Sequence, residues 1–260
     1  DILCTMCYVK IVNYYSFTEM EVLLMIKHPF KKLVSIALSA VMIMGMSVTA
    51  LASSPQTDGY HTSILTDNSS VRISQTSDDN FTYIATYDKS TGTVQLTQTN
   101  NTTGAQKVGD IAPIKPRTRA SLEEKTFTNY EYEITYGSPN TWELRRPGDN
   151  AFNWVYFKTK ETSKNRSYLT AFRNAVDKIN VQEGAIVGDL GMSALSILAA
   201  GAAGAGAIFT GGTLSAAAWG AILSAAGFST AYVATCMAYD QSCKDAYDAY
   251  WNTYYNSTIL

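Results

Sequence analysis

The run from Leu190 to Tyr239 carries no Asp, Glu, Lys, Arg or His and is built from Ala, Gly and Ser around Ile, Leu, Phe, Met and Trp. It is long enough to divide into two segments of about 20 residues, the length that crosses the apolar part of a bilayer. The division falls at Thr210-Gly211-Gly212-Thr213, where Gly211 and Gly212 favour a turn and Thr213 can cap the helix that follows. The expected element is therefore an apolar helical hairpin with arms at 190–209 and 214–238, turning at Gly211 and Gly212. Gly201, Gly204 and Gly206 in the first arm, and Gly220, Ser224 and Gly227 in the second, leave room for close approach of two helices, the packing device of membrane helices. In water each such glycine costs roughly 1 kcal/mol relative to Ala in a helix. The share of large apolar residues is low, so the drive to insert is weaker than that of a permanent Leu-rich span. The residues expected to enter a membrane are Leu195, Ile197, Leu198, Ile208, Phe209, Trp219, Ile222, Leu223 and Phe228.

Residues 25–52 read as an export signal. A basic start (Lys27, Lys31, Lys32) precedes an apolar run over 33–48 and the small-residue ending Ala50-Leu51-Ala52, which predicts cleavage between Ala52 and Ser53. The alternative is an uncleaved anchor of similar length. Residues 1–24 stand awkwardly ahead of such a signal and are expected to be an untranslated upstream extension: Met20-Glu21-Val22 can be encoded with an embedded ribosome-binding sequence before a start at Met25. Cys4 and Cys7 form a lone CxxC, to which no function is assigned.

The region 53–111 opens with a polar lead and continues as an antiparallel β meander. Val71 to Gln75 alternates, Phe81 to Tyr87 is rich in aromatic and β-branched residues, and Thr93 to Gln98 alternates again. Asp88 to Gly92 and Asn100 to Gly104 supply hairpin turns, with a further strand over 105–111. Residues 112–120, with Pro113, Lys115, Pro116, Arg117 and Arg119, form a linker or a processing site. A second antiparallel unit follows over 121–160. There Tyr130, Tyr132, Ile134 and Tyr136 fall on one strand face and Glu131 and Glu133 on the other, with turns at 137–140 and 147–150. Cross-strand pairs of Glu131 and Glu133 with Arg145 or Lys158 are expected, each worth a fraction of a kcal/mol. The dense Trp and Tyr content fits core packing, with sugar or receptor binding as the alternative.

Beyond Glu161 the apolar period becomes helical. Tyr168, Leu169, Phe172, Val176 and Ile179 make an amphipathic helix of about four turns, interleaved with Lys164, Arg166, Arg173, Asp177 and Lys178. It leads through Gly184 and Gly188 into the apolar run and suits either packing on the sheet or an anionic membrane surface. After export Cys236 and Cys243 would be the remaining cysteines, an even pair for which a disulfide is expected. In one unbroken helix they would lie about 10.5 Å apart along the axis, so the bond requires a bend near Tyr239-Asp240, with Asp240 as N-cap. The last helix carries Tyr247, Tyr250, Trp251, Tyr254 and Tyr255, an aromatic stripe of the kind found at membrane interfaces and equally in packed cores.

Catalytic chemistry is scarce. The exported region has one histidine, His61, and no GxSxG, HExxH, phosphate-loop or dinucleotide pattern. Glu123-Glu124 and Asp78-Asp79 read as solvated charge. No catalytic residue, metal ligand or cofactor is expected, and the chain is not read as an enzyme. A formal charge of −2 without a basic run beyond the signal argues against nucleic acid as a partner.

The layout of signal, Tyr/Thr-rich β region, the segment Tyr136-Gly-Ser-Pro-Asn-Thr-Trp-Glu-Leu-Arg-Arg-Pro147, amphipathic helix and Gly/Ala hairpin resembles large secreted bacteriocins of the geobacillin type. The hairpin alone is similar in kind to that of pore-forming colicins. The resemblance implies an unmodified antibacterial protein that kills related cells by disturbing their membranes, and it carries over no functional residue. The combined expectation is a secreted α+β protein: antiparallel β meanders, then a helical region over 161–260 whose hairpin, 190–238, permeabilises target membranes. Its partner is the lipid membrane of target cells, with a surface receptor and an immunity protein as unspecified candidates. The alternative is a surface binding or structural protein anchored to its producer by the same hairpin. A third class is a soluble domain with an Ala/Gly-rich helical core.

Overall fold

The structure, a computed structural model, describes residues 60–114, 122–148, 154–205 and 213–260. These belong to one unit of the chain, Ser54–Leu260. The upstream extension, the signal with its Ala52/Ser53 cleavage point, most of the 112–120 linker, and Ile208, Phe209, Gly211 and Gly212 lie outside the described residues.

The protein is α+β, with two antiparallel sheets preceding the helices. Sheet A is a meander of β1 (His61–Asp67), β2 (Val71–Ser77), β3 (Phe81–Asp88), β4 (Val94–Asn100) and β5 (Gln106–Ile111), in that spatial order. All four connections are begun by an Asn or Asp whose side-chain oxygen accepts backbone N–H groups two and three residues on. Asn68 Oδ1 serves Ser70 and Val71, both at 2.9 Å. Asp78 Oδ1 serves Asn80 at 2.9 Å and Phe81 at 2.8 Å. Asp88 Oδ1 and Asn100 Oδ1 repeat the pattern at Ser90 and Thr91 and at Thr102 and Thr103. Such local bonds offer the backbone an alternative to the ladder, which is why the strands end there. Asp78, read from the sequence as solvated charge, is one of these turn formers.

Two features of sheet A depart from the sequence reading. Strand β1 occupies part of the polar lead; as an exposed edge, HTSILTD has no apolar alternation to betray it, and its register is set by β2, with a bulge at Leu65. In β2 the alternation has the opposite phase to hydrophobicity: Ser74 and Thr76 are buried while Val71, Ile73 and Gln75 are only partly so. A glycine-bearing helix rests on that face, and only small side chains fit beneath it.

Sheet B comprises β6 (Glu124–Lys125), β7 (Glu131–Thr135), β8 (Thr141–Pro147) and β9 (Trp154–Lys160), again antiparallel and in order. Tyr130, Tyr132, Trp142, Leu144 and Phe157 turn inward as the two-residue period requires. Tyr136 lies beyond the end of β7 and is exposed, so it does not continue the expected aromatic face. Glu131 stands opposite Arg145, whereas Glu133 faces Glu143, and the ion pairs to Arg145 (3.0 Å) and Lys158 (2.9 Å) centre on Glu143.

The helices are α1 (Arg166–Leu190), α2 (Met192–Ala200) continuing into a π turn (Gly201–Ala205), α3 (Ala216–Ala226), a 3-10 turn (Thr230–Tyr232) and α4 (Val233–Tyr255). Leu169, Phe172, Val176 and Ile179 are buried on α1, as the helical period requires, but α1 runs straight through Gly184 and Gly188. It stops at Gly191, whose φ of 87° only glycine adopts readily. Ser215, not Thr213, caps α3, its hydroxyl accepting from Ala218 N at 3.2 Å. The second expected arm is two helices, because Gly227 adopts a left-handed conformation and closes α3. Its N–H reaches Ser224 O, and the next residue's N–H, from Phe228, reaches Leu223 O at 2.8 Å.

Helix α4 passes unbroken through Tyr239 and Asp240. The bend required for a disulfide is absent, Cys236 and Cys243 sit about 10.5 Å apart along one axis, and both are buried free thiols. The expected clasp is not formed. Burial pushes the Cys243 thiol far above its ordinary range, so it is inert.

Candidate functional site

Helix α3 lies across β1 to β4 on one side and against α4 on the other. Ala217, Ala218, Trp219, Gly220, Ala221, Ile222 and Leu223 are all buried, so the helix is enclosed around its whole circumference. A helix apolar on every face belongs either in a protein interior or in a membrane. The glycines explain how it fits. Gly220 faces the sheet so closely that an added Cβ would stand 3.0 Å from the Tyr60 ring and 3.6 Å from both Thr62 and Thr76. Gly201, on the π turn after α2, receives the Trp219 ring, where a Cβ would clash at 2.8 Å. These small residues thus seat a helix on a sheet and an indole on a backbone, rather than pairing two helices with one another.

Polar ties fix the segment. Ser74 Oγ donates to Ala221 O at 2.6 Å. From α4, Asp240 Oδ2 accepts from Leu214 N at 2.7 Å and Trp219 Nε1 at 3.3 Å, gripping α3 at its start. Ile114 N donates to Ser196 O at 3.1 Å, joining the strand that leaves sheet A to α2.

A second buried acid, Glu183 of α1, sits at the meeting of α1, α4 and the turn between β6 and β7. It accepts from Phe127 N through both oxygens, at 2.8 and 2.7 Å, and from Tyr239 Oη at 2.7 Å. Burial raises the Glu183 carboxyl to about 7 and the Asp240 carboxyl to about 6, against the smaller opposing effect of their hydrogen bonds. Asp240 lies in mid-helix rather than at the expected N-cap, and Glu183 is a site residue that the sequence does not suggest. A lone Glu in an amphipathic helix and an Asp after an apolar run both carry only a weak signal.

The expected membrane-entering residues divide cleanly. Leu195, Ile197, Leu198, Trp219, Ile222 and Leu223 are buried, and Phe228 packs half-buried against the same core. Among the described residues no helix is long and apolar enough to cross a membrane. The aromatic stripe on α4 is partly core: Tyr250 and Tyr254 meet Phe157 edge-on at 5.0 and 5.4 Å. The Arg146 guanidinium lies 4.9 Å from the Trp251 ring and 5.5 Å from that of Tyr250. Arg146 was missed as an anchor, although its inward register with Trp142 and Leu144 was there to be counted. Tyr247, Tyr254 and Tyr255 keep exposed surface.

Fold and site define an α+β protein that encloses an uncharged, Gly/Ala-rich helix between a meander sheet and its C-terminal helix. No protein family, curated protein or solved structure matches this chain.

Proposed function

We propose that this is a secreted, bacteriocin-like antibacterial protein that is not an enzyme, and that it stores its membrane-disturbing segment inside a folded body until it reaches a target membrane. The observation that carries the reading is the enclosure of α3: a helix without a polar face, lying within an uncharged run long enough for two spans, held to the body by a few polar ties. In water such a segment must be covered. At a bilayer, opening of the sheet A–α4 clasp lets the 190–238 run exchange protein for lipid, with the aromatic end of α4 suited to the interface. Among the described residues no helix is both long and apolar enough to cross a bilayer, and the apolar ones, α2 and α3, are short, so insertion requires them to lengthen.

A covalent lock tests this. A Cβ at residue 220 stands 3.6 Å from Thr76 Cγ2, so Thr76→Cys with Gly220→Cys is near disulfide geometry. Dye release from phosphatidylglycerol-containing vesicles should be abolished in the oxidised double variant and restored on reduction. Release that persists when locked, or no release from the wild type, refutes the proposal. The fit of Gly201 to Trp219 and of Gly220 to Tyr60, Thr62 and Thr76 favours a second reading, a surface-binding module whose α3 is a permanent core helix. That reading requires no leakage in any state.

A further inference from the structure

The two hydrogen bonds that reach Asp240 both land on Oδ2, while Oδ1 is buried without a hydrogen-bond partner. With Oδ2 as the carbonyl oxygen, the neutral acid leaves one hydroxyl unbonded, a smaller cost than a buried charge. An ionised carboxylate would spread its charge over both oxygens and leave half of it buried with no donor. Among the described residues no cation faces it. Helix α3, the π turn and α2 carry no ionisable side chain, and the only base of α4, Lys244, is paired with Asp248. The ionisable groups that feel the charge of Asp240 are Cys236 and Cys243 of its own helix, whereas Tyr239 bonds Glu183 of α1. Arg166, Arg173 and Lys178 of α1 occupy exposed or half-buried positions. What Asp240 holds is specific: the backbone at Leu214 and the indole of Trp219, the point where the apolar segment enters α3.

We propose that Asp240 is a proton-operated latch on the apolar segment, closed when its carboxyl is neutral and loosened when it ionises. This deepens the function proposed above by naming its control, and it runs in a definite direction: acid fastens α3, and neutral to alkaline surroundings free it. Opening exposes the carboxyl to water, where it ionises readily, so each rise in pH favours the open form.

Hydrogen exchange of the full chain, read by mass spectrometry over residues 214–226 and corrected for intrinsic exchange rates, tests the latch without any membrane. In a Glu183→Gln background, so that Asp240 titrates alone, protection should fall about tenfold between pH 5 and pH 8. Adding Asp240→Asn, which keeps the oxygen acceptor for Leu214 and Trp219 but cannot ionise, should hold protection at its acid level. Protection that is flat with pH in the parent, or that falls equally in the Asn variant, overturns the proposal. If the Asn variant does not fold, infrared titration of the buried carboxyl in the parent decides: a carboxyl neutral at pH 5 supports the latch, and one ionised there overturns it. Loss of protection without vesicle leakage supports the latch while refuting membrane insertion, so the two readings fail separately.

Discussion

Glu183→Gln should flatten the pH dependence of folding. In the unfolded chain this carboxyl titrates near its ordinary value of 4.5, whereas in the fold burial raises it to about 7. Between those values the native state holds a proton that the unfolded state has released, so stability is full in mild acid and declines as pH rises through the window. Each tenfold difference in proton affinity between the two states is worth about 1.4 kcal/mol, so Glu183 alone removes about 2.5 kcal/mol between pH 5 and pH 8. Asp240, raised less far, to about 6, removes about 1.4 kcal/mol over the same interval. Together these approach about 4 kcal/mol, a large part of the roughly 5–15 kcal/mol typical of a domain. Opposing groups act elsewhere. Asp67, bonded by Lys89, and Glu161, bonded by Asn140 and Trp142, sit below the ordinary carboxylate range and lose their contribution only in stronger acid. Maximum stability therefore falls at about pH 4 to 5. Urea unfolding followed by circular dichroism at pH 5, 6, 7 and 8 measures this. The wild type should lose about 4 kcal/mol across the series, and Glu183→Gln about 1.4 kcal/mol. A wild type of constant stability, or a variant as pH-sensitive as its parent, refutes the burial argument.

Further perturbations separate tight from open positions. Gly201→Ala drives a methyl into the Trp219 ring and should cost about 1–3 kcal/mol in thermal unfolding, whereas Gly184→Ala, on an exposed turn of α1 with nothing within 4 Å, should stabilise by about 0.5–1 kcal/mol. Arg146→Lys replaces a planar guanidinium packed on Trp251 and Tyr250 by an ammonium and should lower stability by about 1–2 kcal/mol by urea titration. With no disulfide linking Cys236 and Cys243, dithiothreitol should leave Tm unchanged, and a thiol reagent should label neither cysteine until the protein is unfolded.

Elements that announce themselves locally were legible in the sequence. The turns of sheet A were marked by Asp88 and Asn100, and α1 by the spacing of Leu169, Phe172, Val176 and Ile179. What was hidden is what tertiary contacts decide. Strand β1 exists because β2 offers it an edge, not because HTSILTD alternates. The inward phase of β2 follows from α3 above it, and an apolar pattern would have chosen Ile73 over Ser74. Asp240 looked like a helix cap only because a disulfide required a bend. Without the bond it lies in mid-helix, where it can reach the start of α3. Glu183 owes its burial to a turn at 126–130, far away in the chain. The uncharged run was unmistakable as a feature, but hydropathy could not say that sheet A and α4 enclose it.

The cost of freeing α3 rests on its polar ties more than on its apolar burial. Lipid would restore the environment of Trp219, Ile222 and Leu223, each worth about 2–3 kcal/mol when removed from water. It would not restore the Ser74–Ala221 bond or the close seat of Gly220 on the sheet. Changes on the sheet side should therefore tune release without touching the segment itself. Ser74→Ala removes a hydroxyl that donates to Ala221 O, a bond worth about 1 kcal/mol. It should raise the rate of vesicle leakage about fivefold while lowering stability by about 1 kcal/mol. Leu223→Ala lowers stability more, by about 2–5 kcal/mol, yet also weakens the hold on lipid. Its leakage should therefore fall short of the value its stability alone implies. If leakage simply tracks global stability across both variants, release is general unfolding and the ties have no special part in it.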